Sequence, residues 1–99
     1  MPALQVDDLD NVATVFEDDA GPGTELEILD QKGTAARVTA RAAVPYGHKL
    51  ALAPIAAGEP IVKYGEVIGL ATAAIEPGDH VHVHNLESRR GRGDLNDGI

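Results

Sequence analysis

Three histidines alternate with other residues in the segment His80-Val81-His82-Val83-His84-Asn85. Side chains on a strand alternate between its two faces, so a strand here would project all three imidazoles together at intervals of about 6.5–7 Å. Two imidazoles two residues apart can share one divalent metal ion, but a third ligand would have to come from elsewhere. An ordinary half-exposed strand has the same alternation. The spacing alone therefore leaves a metal site and a structural role both open.

A second group of polar residues, Tyr46-Gly47-His48-Lys49, stands at the start of a predicted strand. His48 can titrate near neutral pH, and Lys49 can hold an anionic carboxylate or act as a base when it is desolvated. A surface turn explains the same residues, and on their own they favour that interpretation. Lys63-Tyr64-Gly65-Glu66 likewise indicates a hairpin turn with the lysine on the solvent face. For Asn85, the structural alternative to a role at the site is a hydrogen bond to a neighbouring loop, as Asn often makes at strand ends.

Other catalytic signatures are missing from the sequence. Ser88 is the only serine, and it lies outside any Gly-x-Ser-x-Gly motif. Neither a phosphate-binding loop nor a dinucleotide-binding glycine pattern occurs. Cysteine is absent, so the chain has neither a disulfide nor a thiolate metal site. Hydrolase triads, kinases and Rossmann enzymes are excluded on these grounds.

Composition limits the class of partner. The chain has 99 residues, with 16 acidic and 8 basic side chains and a formal net charge of −8. An acidic surface repels phosphate backbones, so nucleic acid is not expected as a partner. The N-terminus lacks a basic region followed by a long apolar run, and no segment reaches the roughly 20 apolar residues of a membrane span. We expect a cytoplasmic location and no membrane partner.

Short apolar runs separated by Gly, Pro and Asp predict a mostly β chain. We expect a lead-in over residues 1–10, one domain over 11–87 and a polar C-terminal tail over 88–99 that is flexible in isolation. The segment Ala35–Ala43 is ambiguous, because alanine and arginine also favour helix. The predicted strands are Asn11–Phe16, Glu25–Leu29, Ala35–Ala43, Lys49–Ala53, Ile61–Tyr64, Val67–Ala73 and Val81–Leu86.

One five-residue turn motif recurs four times: an apolar residue, two linking residues, a glycine and a polar residue. Glycine supplies the positive φ that a tight turn demands, so each unit predicts a strand-turn-strand corner. Four such corners in a short chain indicate a compact, twisted β domain. The four units are Ala20–Thr24, Val44–His48, Ile55–Glu59 and Ile75–Asp79.

Three motifs carry a resemblance to a known family: Gly47-His48-Lys49, Lys63-Tyr64-Gly65 with Ile68-Gly69 after it, and His80-Val81-His82 continuing to His84-Asn85. In this order and spacing they resemble the N-terminal domain of altronate/galactarate dehydratases. They are similar, too, to the small subunit of sulfolactate sulfo-lyase. The resemblance extends from about Asn11 to Leu95.

The resemblance implies a single SAF-type β-clip domain. It also implies a large catalytic subunit that supplies the rest of the active site, since a catalytic domain follows the His-Asn motif in single-chain relatives. The implied reaction is β-elimination of water from a sugar acid, giving a 2-keto-3-deoxy acid, with a divalent metal that is Fe²⁺ or Mn²⁺ rather than Mg²⁺. We expect such a subunit to be inactive alone.

The same resemblance implies roles for six residues. His82 and His84 are expected to bind the metal or to act in acid–base catalysis, and His48 to transfer a proton. Lys49 is expected to bind the substrate carboxylate. Lys63 and Asn85 are expected to contribute to substrate binding.

Two alternatives keep the same domain. One is the small subunit of a sulfolactate sulfo-lyase, which would expel sulfite instead of water. The other is a non-catalytic carbohydrate-binding module, whose complex would keep its activity when His82 and His84 are replaced by alanine. Under any of these functions, the isolated chain could form a homo-oligomer by pairing exposed strand edges.

Overall fold

A computed structural model describes residues 3–18, 20–33 and 35–88. This part of the chain contains nine strands and no helix, which confirms the mostly β prediction, and none of its elements is a helix that could cross a membrane. The predicted C-terminal tail, apart from Ser88, lies outside the described residues. The strands are β1 (Ala3–Leu4), β2 (Val12–Val15), β3 (Glu25–Leu29), β4 (Ala35–Thr39), β5 (Lys49–Ala51), β6 (Pro60–Lys63), β7 (Glu66–Ala71), β8 (His80–Val81) and β9 (Leu86–Ser88).

The strands form two sheets. The larger has the order β4-β3-β1-β2-β5-β8, and the smaller has the order β6-β7-β9. Only β1 and β3 pair in parallel among the described strands; the other pairs are antiparallel. Strand β3 shows the expected alternation, with Leu26 and Ile28 buried and Glu25 and Glu27 exposed.

Two hydrophobic clusters form the core. The first includes Val15, Leu26, Val44 and Leu50, and the second includes Ala51, Ile55, Ile61, Ile75 and Val81. Consecutive residues Leu50 and Ala51 belong to different clusters, so β5 joins the two halves of the core.

Two strands could not be assigned from the sequence alone. The ambiguous segment Ala35–Ala43 is a strand over Ala35–Thr39, because it pairs with β3 along its length, from Glu25↔Thr39 to Leu29↔Ala35. Strand β1 was not predicted. It has only two residues, too few to show a period, yet Ala3 is fully buried and pairs with Val15 and Ile28.

The predicted strand Val81–Leu86 is wrong. The chain forms β8 over His80–Val81, turns through residues 82–85 and resumes as β9 at Leu86. The turn forms because the Asn85 carboxamide accepts a hydrogen bond from the His82 backbone N–H (2.9 Å) and donates one to the His80 carbonyl (2.9 Å). A side chain that bonds to nearby backbone in this way competes with an extended ladder.

The same pattern of two backbone hydrogen bonds occurs at each of the four predicted corners. In each, the glycine N–H donates to the carbonyl of a buried residue, and the N–H of that residue donates to the carbonyl of the residue after glycine. All four glycines have positive φ, as predicted: 88° at Gly23, 83° at Gly47, 87° at Gly58 and 92° at Gly78. The buried partners, in the same order, are Ala40, Val15, Ala71 and Ala51.

The corners also pair with one another. Ala20 bridges to Val44 in the first half of the chain, and Ile55 bridges to Ile75 in the second. Each half therefore repeats the same arrangement of two corners. The strands that leave the last corner of each half are β5 and β8, and they pair antiparallel, with Leu50 opposite His80.

Candidate functional site

The imidazoles of His48, His80 and His82 meet where β5 and β8 pair. Each ring offers a nitrogen, and these three nitrogens lie within 4.8 Å of one another. His48 Nδ1 lies 2.9 Å from His80 Nε2, at hydrogen-bond distance. The His48 and His82 rings stack with centroids 4.1 Å apart. We refer to these three residues as the histidine cluster.

Backbone hydrogen bonds position His48 and His80. His48 ends the corner turn, where its N–H donates to the Pro45 carbonyl (3.0 Å) and its own carbonyl accepts from Val15 (2.9 Å). His80 follows the matching corner of the second half, and its strand is held by the Ala51 N–H, which donates to the Asp79 carbonyl (2.9 Å). The two corners thus present their histidines from adjacent strands.

The turn over residues 82–85 brings His82 onto His48. Asn85 is 9% exposed, and its backbone N–H donates to the His82 carbonyl (3.0 Å). Together with the two side-chain bonds, this contact closes the turn. Asn85 therefore orients His82 through the backbone. Its expected role in substrate binding stays a prediction.

His84 lies at the edge of this group. Its ring is tilted by 40° from that of His80, with centroids 5.2 Å apart, and its side chain is exposed. The structure thus groups His82 with His48 and His80, whereas the sequence paired it with His84. Metal binding by His82 and His84 remains a prediction, as do the catalytic roles of His48, His82 and His84.

The local environment favours the neutral form of two rings in the cluster, those of His80 and His82. Burial, and then the neighbouring His48, His84, His82 and Lys49, together lower the pKa of His80 to about 4. Burial is also the first cause that lowers the pKa of His82, followed by His48, Lys49 and His84. At pH 7 both rings are uncharged, which is the form that binds a metal or accepts a proton.

Lys49 adjoins the cluster, and Lys63 lies near Lys49. Lys49 is half-buried; desolvation lowers its pKa, and the charge of Lys63 lowers it further. Lys63 lies at the end of β6, with its Nζ 4.8 Å from the centre of the Tyr64 ring. The predicted hairpin turn is confirmed, with φ of 56° at Tyr64 and 75° at Gly65. A desolvated ammonium group next to a second cation attracts a carboxylate, so the expected roles of Lys49 and Lys63 are chemically consistent with this placement.

Sequence reasoning missed two residues that hold this hairpin. Asp10 is 6% exposed and accepts hydrogen bonds from the backbone N–H of Gly65 (2.8 Å) and of Asp7 (3.1 Å). The Asn11 side chain accepts from the Val62 N–H (2.8 Å) and donates to the Pro60 carbonyl (3.0 Å). The available signal was an Asp-Asn pair directly before a strand, since both residue types often bond to nearby backbone.

The donor set of the cluster fits a transition-metal ion better than Mg²⁺. Imidazole nitrogen suits Fe, Zn, Cu and Ni, whereas Mg²⁺ takes oxygen ligands. Every charged neighbour that shifts the pKa of Lys49, His80 or His82 is a lysine or a histidine. Among the described residues, the only group of three or more possible ligands that could share a metal is made entirely of histidines.

Comparison with known proteins identifies the domain. The family described as the altronate/galactarate dehydratase SAF domain matches residues 1–89. Altronate dehydratase of Escherichia coli (strain K12) is 43% identical over 88 residues, which make up 89% of this chain. The (2R)-sulfolactate sulfo-lyase subunit alpha of Chromohalobacter salexigens is 37% identical over 84 residues, or 85% of this chain. That of Paracoccus pantotrophus is 46% identical over 54 residues, or 54% of this chain.

The relatives differ in how much of their length the match covers. The chain spans 17% of the Escherichia coli dehydratase. It spans 88% of the Chromohalobacter salexigens subunit and 81% of the Paracoccus pantotrophus subunit. The family match covers nine-tenths of the chain, and the resemblance carried by the histidine and lysine motifs is confirmed. The chain belongs to the altronate/galactarate dehydratase SAF-domain family.

Proposed function

We propose that this chain is the small subunit of a two-subunit, cytoplasmic hydro-lyase that dehydrates a sugar acid of the altronate/galactarate type to a 2-keto-3-deoxy acid. Its active site is shared with a large subunit, and the chain alone is inactive. The observation that carries the proposal is the histidine cluster beside Lys49, in a domain whose relatives include altronate dehydratase.

The chemistry requires a base, an anion-binding group and a proton donor. Removing the proton next to a carboxylate creates an enediolate, and the departing hydroxyl must be protonated. His82 is neutral at pH 7, as a base must be, because burial lowers its pKa. Lys49 binds the substrate carboxylate. The contact between His48 and His80 (2.9 Å) needs one nitrogen to donate and the other to accept, so it couples the tautomers of the two rings and lets a proton pass between them.

A divalent metal fits the same residues. His48, His80 and His82 would hold it, since their nitrogens converge within 4.8 Å. A nitrogen bound to the metal cannot accept a proton, so these residues would then act as ligands in place of their acid–base roles, and the base would come from the large subunit. When bound, the metal would stabilise the negative charge of the enediolate. We propose Fe²⁺ or Mn²⁺ rather than Mg²⁺. The three imidazoles offer nitrogen and no oxygen ligand, which favours Fe²⁺ over Mg²⁺.

A second candidate function is that of a sulfolactate sulfo-lyase subunit. Two relatives named as (2R)-sulfolactate sulfo-lyase subunit alpha match over 81% and 88% of their length, and this observation favours the alternative. Proton abstraction next to a carboxylate would require the same residues, and the leaving group would be sulfite in place of hydroxide. The identity of the substrate therefore has to come from an assay.

The test is turnover by the chain co-purified with a candidate large subunit, chosen from the genes next to its own. Altronate, galactarate and sulfolactate are supplied with Fe²⁺, Mn²⁺ or Mg²⁺, and 2-keto-3-deoxy acid and sulfite are measured separately. We expect dehydration by the pair and none by the chain alone. Sulfite release without dehydration would establish the second candidate.

Matched variants test whether the site belongs to this domain. Lys49→Gln should raise the KM of the acid, whereas Lys32→Gln, which removes an exposed lysine paired with Asp8, should not. His48→Ala and His82→Ala should abolish most of the turnover. Full activity in both histidine variants would instead support a non-catalytic carbohydrate-binding module.

A further inference from the structure

Asn11 joins the strand that carries Lys49 to the hairpin that carries Lys63. On one side, the Leu52 N–H, just after the end of β5, donates to the Asn11 carbonyl (2.9 Å). On the other side, the Asn11 N–H donates to the carbonyl of Val62 (3.2 Å), the residue before Lys63. The relative position of the two lysine-bearing strands therefore depends on the segment that contains Asn11.

Asp10 extends this link to the tip of the hairpin. In the part of the chain that the structure describes, Asp10 is the one charged residue that is buried, with 6% exposed. Its carboxylate accepts a hydrogen bond from the Gly65 N–H (2.8 Å), 55 positions away in the sequence. The Asp7 carboxylate lies against the same glycine, where a Cβ would be 3.0 Å from its Oδ2. A buried carboxylate is costly unless hydrogen bonds offset it, and these bonds fix one turn in place.

The turn that Asp10 holds has a demanding backbone conformation. Tyr64 has a φ of 56°, and it is the only non-glycine residue with positive φ among the described residues. Such a conformation is uncommon for a bulky residue and persists where the surrounding structure enforces it. The Lys63 ammonium lies over the Tyr64 ring, 4.8 Å from its centre. Holding Gly65 therefore also fixes the direction of the Lys63 side chain.

The two ammonium groups have no anion between them. Lys63 is close enough to Lys49 for its charge to lower the pKa of that lysine, yet neither lysine forms an ion pair with a carboxylate of the described residues. Both Asp10 oxygens and one of Asp7 accept hydrogen bonds from backbone N–H groups. Glu66 is paired with Lys63 across the hairpin, but no ion pair joins them. Like charges repel, and an anion shared by the two lysines would relieve that repulsion.

We propose that Asp10 is a positioning residue of the dehydratase, which holds the hairpin so that Lys63 and Lys49 bind one carboxylate of the sugar acid together. This inference rests on the proposed function, which supplies the ligand. It adds a role for the buried carboxylate and assigns two cations to a single carboxylate. Each ammonium group can contact one oxygen, which fixes the orientation of the carboxylate as well as its place.

The first test is geometric and needs neither substrate nor partner. The chain has only three lysines, at positions 32, 49 and 63, so a short amine-reactive bis-ester and peptide mass spectrometry can identify a Lys49–Lys63 cross-link. Asp10→Ala should lose most of this cross-link, because the Gly65 N–H loses its acceptor and the hairpin moves. Asp10→Asn keeps one oxygen for that N–H and should restore much of it.

Asp30→Ala is the matched control. Asp30 also accepts a backbone N–H within a turn, from Lys32 (2.9 Å), but that turn joins β3 to β4. The Lys49–Lys63 cross-link should stay unchanged in this variant.

The second test is the kinetics of the chain co-purified with the large subunit. Asp10→Ala should raise the KM for the sugar acid about tenfold and leave kcat within about twofold, whereas Asp30→Ala should change neither. In a Lys63→Gln background, Asp10→Ala should raise the KM no further, because the group that it positions is already gone. A purely structural role for Asp10 would give additive effects instead.

The outcomes separate this inference from the proposed reaction. The inference is overturned by additive effects on KM, by an unchanged cross-link in Asp10→Ala or by the absence of a cross-link in the wild-type chain, even if the pair dehydrates sugar acids. The expected cross-links without turnover would contradict the proposed reaction and uphold the placement of the two lysines by Asp10. Protection of both lysines from the bis-ester by added galactarate would then show that they share an anion, and its absence would overturn that step.

Discussion

The imidazole rings of His48 and His82 stack with their planes 19° apart, although one ends a corner turn and the other begins a turn after β8. The contact exists because β5 and β8 are neighbours and because Asn85 folds the chain back after β8. Stacked rings this close cannot both be protonated without repulsion. The geometry therefore disfavours protonation of both rings at once.

Removing the Asn85 carboxamide should loosen the histidine cluster. Asn85→Ala leaves the His82 N–H and the His80 carbonyl without their partners, and we expect a loss of about 2–4 kcal/mol in the free energy of unfolding. Urea unfolding measures the loss, and the NMR shifts of the His82 ring report the change in stacking.

Asn11→Ala is the control for this change. Asn11 also bonds two backbone groups, at Val62 and Pro60, but at the β6–β7 hairpin. It should lower stability while leaving the His82 ring shifts unchanged. Equal effects of the two variants on the His82 ring would contradict the role assigned to Asn85.

Acid should destabilise the domain through His80. Its folded-state pKa is about 4, below the unfolded value of 6.5, so the unfolded chain binds the proton more tightly. The stabilisation is complete above pH 6.5 and is lost as the pH falls towards 4. We expect a loss of about 1 kcal/mol after solvent screening, measured by urea unfolding at several pH values.

His80→Gln should flatten that pH dependence, because the substituted side chain does not titrate. NMR titration of the ring protons supplies the direct check: the His80 resonances should shift near pH 4. A His80 titration near 6.5 would show that the site is more hydrated than the structure indicates.

Metal affinity should depend on the three clustered histidines. His48→Ala removes one of the converging nitrogens, and we expect a loss of about 100-fold in Mn²⁺ affinity, measured by calorimetry. His84→Ala is the comparison, since its exposed ring is outside the cluster. A larger loss with His84→Ala than with His48→Ala would favour the His82–His84 pair predicted from the sequence.

Gly78 should tolerate substitution less well than its counterpart Gly58. Both have positive φ, but a Cβ at Gly78 would overlap the Thr39 carbonyl oxygen, whereas one at Gly58 meets no atom within 4 Å. We expect Gly58→Ala to cost about 1 kcal/mol and Gly78→Ala at least about 3 kcal/mol in unfolding free energy. Thermal unfolding of both variants tests this, and similar melting temperatures would show that β4 can move away from the corner.

Local chemistry in the sequence determined much of the fold. The Gly-containing corners, the hairpin at Lys63–Glu66 and the strand Glu25–Leu29 were all predictable, because turn residues and a period of two act over a few neighbouring positions. The motifs around His48, Lys63 and His80 were sufficient to recognise the family.

Tertiary structure alone decided which side chains meet. The predicted strand Val81–Leu86 was wrong because the Asn85 carboxamide bonds to nearby backbone and turns the chain at residues 82–85, which alternating residues do not reveal. His48 joins His80 and His82 because two similar corners deliver β5 and β8 to neighbouring positions, and this pairing joins distant parts of the chain. Burial, which lowers the pKa values of His80 and Lys49, likewise arises only when those distant segments pack together.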